Sequence, residues 1–302
     1  MSESLFGRRT FLQIAGAGAA GVAMGAPQRL RAAPGDGHFA HAPGDTGPVR
    51  LSVASYSLRK FPRDKAIEMV KALGVKYVNL KSVHLDYDLA PNDIDAARRE
   101  IEGAGLQIVG GGTITFDKDT DEGVQRYFEY AKRAGMPVMV STGAPEVMPR
   151  VEKFAKQYDI KVAIHNHGPE DKHFPSPYDV LKLVKNMDRR MGLCMDIGHA
   201  TRAGADIVQA AADAGPRLLD MHAKDLANGK ERDSQCIVGQ GILPIPDLFR
   251  QLQAQRYAGF VNLEYEIDVD DPLPGMKQSF AYMRGVLAGL APSTRKTAAK
   301  RA

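Results

Sequence analysis

The sequence predicts an α/β fold, a (β/α)8 TIM barrel. Three observations predict it. Short apolar, β-branched runs recur from residue 51 to residue 263, with 3.6-period helical patterns between them. Gly74, Gly105, Gly135 and Gly215 each stand just after a helical pattern, where a helix C-terminus favours glycine. Eight such units in about 240 residues match the size of a barrel.

The strands fall at Leu51–Ala54, Tyr77–Leu80, Leu106–Val109, Val138–Val140, Val162–Ile164, Gly192–Met195, Leu218–Met221 and Phe260–Leu263. The first helix is expected at Asp64–Leu73, where Ala66, Ile67, Val70 and Leu73 share one face. Further helices are expected at Ile94–Ala104, Glu122–Ala134, Glu146–Tyr158, Pro177–Asn186, Asp206–Ala214 and Ile245–Gln255. A doubly wound sheet is the alternative, and it carries a Gly-rich phosphate turn after its first strand. Here Ser55-Tyr56-Ser57-Leu58 occupies that place. Gly110-Gly111-Gly112 is expected to follow the third strand, without the full dinucleotide fingerprint.

The ends stand apart from this pattern. Gly7-Arg8-Arg9-Thr10-Phe11-Leu12-Gln13 has the form of a twin-arginine signal, and an Ala/Gly-rich apolar segment runs from Ile14 to Ala26. Residues 1–47 are therefore read as an export signal and disordered linker, residues 48–290 as the barrel and residues 291–302 as a basic, disordered tail. Cleavage after Ala26, Ala32, Ala33 or Ala42 is compatible with the sequence. The expectation is a periplasmic or secreted protein, exported folded with its metal in place. No apolar run approaches the roughly 20 residues of a membrane helix, so no membrane partner is expected after export.

The charge excess also belongs to the ends. Of 40 basic and 36 acidic residues, the first 33 positions hold four Arg and one Glu, and the tail from Arg295 holds four basic residues, which leaves 32 against 35. A near-neutral barrel gives no electrostatic footprint for nucleic acid. The two cysteines, Cys194 and Cys236, imply no disulfide scaffold, and Cys194 reads as a small buried apolar residue.

Four apolar runs end in a ligand-type side chain: Ile164-His165 (running on to His167), Met195-Asp196 (on to His199), Met221-His222 and Leu263-Glu264. In a barrel the C-terminal strand ends form the active face. His165, Asp196, His222 and Glu264 are thus the candidate metal ligands. Mixed imidazole and carboxylate donors suit one divalent cation, Mn, Zn, Co or Fe in preference to Ca. His165 and His167 face opposite ways if the strand continues. Lys81 and His84 follow the second strand, and Lys224 follows the seventh. With His167 and Glu170 they are the candidate acids and bases. Tyr56, His199 and Arg202 are candidate substrate contacts. Each has an ordinary structural reading too. Asp196 would serve as a helix cap, His222 as a core histidine, Lys224 as a partner of Asp225, and Glu170, Lys81, His84 and Arg202 as solvated or loop residues.

From about Val49 to Leu290 the chain resembles the xylose isomerase-like barrels. Cys194-Met195-Asp196-Ile197-Gly198-His199 is similar to the family's sixth-strand motif, Leu219-Asp220-Met221-His222-Ala223-Lys224-Asp225 to its seventh, and Val261-Asn262-Leu263-Glu264 to its eighth. Gly239-Gln240-Gly241-Ile242 resembles the Gly-x-Gly turn that precedes the eighth unit. The resemblance implies a metal Asp, His and Glu at Asp196, His222 and Glu264. At the fifth strand many members place a metal Glu where this chain has His165. Ile164-His165-Asn166-His167-Gly168-Pro169-Glu170 instead resembles a His-Asn-His subgroup, similar to inosose dehydratases and enzymes of 3-keto sugars. His165, His167 or Glu170 is then the fifth-strand ligand, and a symmetric mechanism using two glutamates is disfavoured.

The resemblance implies metal-assisted proton transfer next to a carbonyl, that is isomerisation, epimerisation or dehydration of an unphosphorylated sugar or cyclitol. No tryptophan is present to stack on a long polysaccharide. The alternatives are a metal- or sugar-binding barrel without turnover and an apurinic endonuclease-like nuclease. A neutral barrel and the missing fifth-strand Glu oppose the nuclease. The sequence leaves a homo-oligomer open.

Overall fold

The computed structural model describes residues 49–291. The strands are β1 (Arg50–Ala54), β2 (Tyr77–Leu80), β3 (Gln107–Phe116), β4 (Val138–Gly143), β5 (Lys161–His165), β6 (Met191–Asp196), β7 (Leu218–Ala223), the short β8 (Asp225–Leu226) and β9 (Gln235–Cys236), and β10 (Phe260–Leu263). Eight of them close a parallel barrel in the order β1-β10-β7-β6-β5-β4-β3-β2, while β8 and β9 pair antiparallel outside it. The helices are α1 (Arg63–Ala72), α2 (Pro91–Gly103), α3 (Asp121–Ala134), α4 (Met148–Tyr158), α5 (Pro177–Val184), α6 (Ile197–Arg202), α7 (Ile207–Ala214), α8 (Ile245–Ala254) and α9 (Leu273–Leu290). The export segment at 1–47 and the basic tail, apart from Ala291, lie outside the described residues.

Strands in a barrel are covered on both faces, so they read as continuous apolar runs and not as alternating ones. β1, β2, β6, β7 and β10 are buried along their whole length. Most of the core lies between strands and helices, and Val140, Ala163, Cys194 and Leu219 pack as a separate cluster. Side-chain caps fix several helix starts. Thr120 accepts from Gly123 N at 3.0 Å to open α3, and Ser176 and Asp179 form a capping box on α5.

The glycine triplet differs from expectation. Gly110, Gly111 and Gly112 lie inside β3, which runs on to Phe116, and do not form a loop after it. Close approach of neighbouring groups is the reason. A Cβ on Gly111 would meet the Met136 side chain at 2.5 Å and Leu80 O at 2.9 Å, and one on Gly112 would meet Val140 O. Four of these elements were not expected: the six-residue α6, the two-residue strands β8 and β9, and α9, which closes the last β/α unit. No described helix is long and apolar enough to cross a membrane.

Candidate metal centre

β5, β6, β7 and β10 are consecutive neighbours in the barrel. His165 ends β5, Asp196 ends β6, His222 sits one residue from the end of β7, and Glu264 follows β10. Register brings them level: Asp196 pairs with His222, and Glu264 N donates to Ala223 O at 2.9 Å. One ligand atom from each of His165, Asp196, His222 and Glu264 lies within 4.8 Å of the others, and all four residues are buried. His165 Nε2 is 3.1 Å from His222 Nδ1 and 3.7 Å from Asp196 Oδ2. His222 Nδ1 is 3.2 Å from Glu264 Oε2 and 3.9 Å from Asp196 Oδ2.

These residues fit a cation. Ligands about 2.0–2.3 Å from a tetrahedral metal stand roughly 3.5 Å from one another, which is the spacing found here. His165 and His222 turn ring nitrogens toward each other. Asp196 Oδ2 is buried and receives no hydrogen bond, and its neighbour is the Lys224 ammonium at 3.0 Å, outside hydrogen-bond alignment.

The charge states suit the same role. Burial holds the His222 imidazole down to about 4, against the pull of Glu264, so it is neutral at neutral pH. Burial opposes ionisation of Asp196, but Lys224 and the neighbouring imidazoles hold its carboxyl well below the usual range. Burial likewise opposes the Glu264 charge, and His222, Lys81 and Lys224 overcome it. Two ammonium groups therefore flank Glu264: Lys81 Nζ at 3.2 Å from Oε1 and Lys224 Nζ at 3.1 Å from Oε2. Lys224 also reaches Glu266 Oε2 at 2.6 Å. Burial disfavours its charge, and Asp196, Glu264 and Glu266 keep it well above the ordinary lysine value.

Asp196 has two roles on one carboxylate. Its Oδ1 accepts from His199 N at 2.8 Å and caps α6, which leaves Oδ2 for the cluster. His167 stands at the mouth with its side chain 62% exposed, in ring contact with His165 at 5.4 Å and His199 at 4.8 Å. Glu170 is outside the cluster: its carboxylate pairs with the Arg202 guanidinium, whose side chain is 5% exposed. Arg202 Nη1 faces His199 Nδ1 at 3.3 Å. A guanidinium only donates, so Nδ1 accepts and His199 carries its proton on Nε2. Burial lowers His199 to about 4, so it stays neutral. Gly168 lets this group assemble. It has φ 90, and a Cβ there would meet His199 Nδ1, Arg202 Nη1 and Glu170 Oε2 at 3.0 to 3.2 Å.

His84 is placed behind the site. Its Nε2 faces Phe61 O at 3.2 Å, and a carbonyl only accepts, so this nitrogen is protonated. Its Nδ1 then accepts from Ser55 Oγ at 2.9 Å, and Ser55 Oγ in turn accepts from Lys81 N at 2.8 Å. His84 thus supports Lys81 from beneath. Tyr56 is exposed beyond β1, with the Arg59 guanidinium 4.5 Å over its ring.

Three clamps escaped the sequence reading. Asn166 Nδ2 donates to Asp196 O and its Oδ1 accepts from Asp196 N, both at 3.0 Å. Ser57 Oγ donates to Leu263 O at 3.2 Å and accepts from Tyr265 N at 2.8 Å. Gln235 of β9 donates to Glu264 O at 2.7 Å and accepts from Glu266 N at 3.0 Å. Each uses a side chain to hold the backbone at a tip that carries a candidate ligand. The only sequence signal was Asn166, between two histidines.

A closed parallel barrel with imidazoles and carboxylates gathered at its C-terminal strand ends defines a class of site-bearing α/β barrels. The chain belongs to the xylose isomerase-like TIM barrel family, whose model matches residues 67–286. Comparison with curated proteins found no match. Among solved structures, the chain is similar to a sugar phosphate isomerase/epimerase from Parabacteroides distasonis, at 19% identity and TM-score 0.63 over 80% of this chain and 96% of that one. It is similar to a 3-keto-D-glucoside 4-epimerase from E. coli, at 17% identity and TM-score 0.62 over 79% and 99%. It is also similar to an L-ribulose 3-epimerase, at 13% identity and TM-score 0.65 over 80% and 95%.

Proposed function

We propose that this protein is a divalent-metal-dependent enzyme that moves a proton next to the carbonyl of an unphosphorylated keto-sugar or cyclitol, as an isomerase, epimerase or dehydratase. One observation carries the reading: the ligand atoms of His165, Asp196, His222 and Glu264 gathered within 4.8 Å at the barrel mouth. The two sugar epimerases of the same fold support the substrate class. His165, Asp196, His222 and Glu264 would hold the cation. When bound, Mn, Zn, Co or Fe acts as a Lewis acid on carbonyl and hydroxyl oxygens, lowering the barrier by several kcal/mol.

The chain's own groups divide the remaining work. The Lys81 and Lys224 ammoniums, buried beside Glu264, stabilise negative charge on a substrate oxygen in a site of low dielectric. His199 offers its Nε2 proton to a substrate hydroxyl. His167, open to solvent and in ring contact with His165 and His199, carries the proton between carbon and water. The Glu170–Arg202 pair ties the loop after β5 to α6, and Tyr56, after β1, offers an exposed aromatic face to substrate. We further propose that residues 1–47 send the folded barrel through twin-arginine export to the periplasm or beyond.

The test is a screen of metal-loaded protein against keto-sugars and inososes in deuterated water, read by NMR. Deuterium incorporation at a carbon beside the carbonyl is expected with at least one substrate. Absence of exchange, product and binding across the panel would refute the reading.

A further inference from the structure

The metal-type residues in the barrel form two overlapping groups. Besides the set with two carboxylates, Cys194 Sγ lies within 4.8 Å of ring nitrogens of both His165 and His222. The sequence alone had placed Cys194 as a buried apolar residue. It is buried and free of any disulfide, and its register partner on β5 is His165 itself. It sits two residues below Asp196 on the same strand, roughly 6.6 Å deeper at the backbone, with its side chain on the same side. A second observation points to the same place: His222 Nε2 is buried with no hydrogen-bond partner.

We propose that Cys194, His165 and His222 form a second, softer ligand set beneath the Asp196 and Glu264 carboxylates, and that a thiophilic cation recruits the Cys194 thiolate. The inference rests on the metal centre proposed above and adds a ligand to it. A set of two imidazoles and one sulfur favours Zn, Cd or Co over Mn or Mg, because soft donors select soft cations. Binding breaks the S–H bond, and its electron pair forms the bond from sulfur to metal. The released proton has an acceptor within reach, since Cys194 Sγ donates to Asp220 Oδ2 at 3.8 Å. No oxidation change is involved. The same barrel would then hold a hard cation on oxygen and nitrogen and a soft one on nitrogen and sulfur.

The test is cobalt(II) titration of the metal-free, full-length protein, read by optical absorption. Visible d–d bands report binding, and a near-ultraviolet charge-transfer band reports a thiolate ligand. Both are expected in the wild type. Cys194→Ser should lose the charge-transfer band and keep the d–d bands. Cys236→Ser removes the other thiol and should keep both, so the assignment stands even if Cys194→Ser fails to fold. Cobalt bound without a charge-transfer band would overturn the role of Cys194 and leave the metal centre intact. A band that survives Cys194→Ser or vanishes in Cys236→Ser would also overturn it. No cobalt binding would overturn both this inference and the metal reading.

Discussion

Gly198 is packed against the stem of Lys224: a Cβ at Gly198 would meet Lys224 Cγ and Cδ, each at 2.7 Å. Gly198 lies in the first turn of α6, which Asp196 caps. The glycine thus leaves room for the lysine whose ammonium stands among Asp196, Glu264 and Glu266. Helix propensity alone favours alanine there by about 1 kcal/mol. Gly198→Ala is nevertheless expected to displace Lys224 and to slow deuterium exchange by about 10- to 100-fold. The melting temperature should move by only a few degrees. Exchange at the wild-type rate would show that the position of Lys224 does not matter.

Asn166 holds both backbone polar groups of Asp196. Asn166→Ala removes a side-chain partner from each of them, at a cost of about 1–3 kcal/mol. The carboxylate above them loses its fixed direction, and metal affinity is expected to fall about 10- to 100-fold, as with other supporting partners of ligands. Urea unfolding and metal titration of the variant measure the two effects. Normal affinity with normal stability would contradict the clamp.

The contrast between Asp196 and Asn166 shows what the sequence made legible. An apolar run that stops at an ionisable residue is visible in one dimension, because a barrel strand is covered by apolar groups on both faces and its tip faces a polar cluster. The four candidate ligands were read that way, and so were the barrel and its strands. Asn166, Ser57 and Gln235 act on a backbone brought close by the fold, and no local pattern marks them. The β8–β9 ladder has two residues per strand and α6 six, too short for any periodicity. α9 does carry Met276, Phe280 and Met283 on its buried side, but three glycines and a proline dilute the pattern. The triplet at Gly110–Gly112 looked like a loop because close strand contact and turns both select glycine.

Buried imidazoles make stability depend on pH. His199 and His222 are held to about 4 in the folded chain, below the ordinary 6.5, chiefly by burial. Between those values the unfolded chain binds more protons, so stability rises with pH across the window. It is present above pH 6.5 and is lost as pH falls toward 4. Asp196 and Glu264, whose folded values are depressed, add their own loss below the usual carboxylate range. Asp220, pushed up to about 7 by burial, works the other way, because between about 4 and 7 the folded chain holds its proton and the unfolded chain does not. The metal-free protein is expected to lose a net few kcal/mol, roughly, on acidification from pH 7 to pH 4. Thermal unfolding across that range measures it. Stability that rises as pH falls from 7 to 5 would contradict neutral, buried imidazoles.

The proposed cation would be shared by His165, Asp196, His222 and Glu264. The most direct measurement is anomalous X-ray diffraction from crystals of the protein soaked in manganese(II). The expected result is one strong peak within about 2.0–2.3 Å of His165 Nε2, His222 Nδ1 and a carboxylate oxygen each of Asp196 and Glu264. The same soak of Glu264→Gln crystals should give a much weaker peak. No peak at the barrel mouth, with the Lys224 ammonium still between Asp196 and Glu264, would contradict the account.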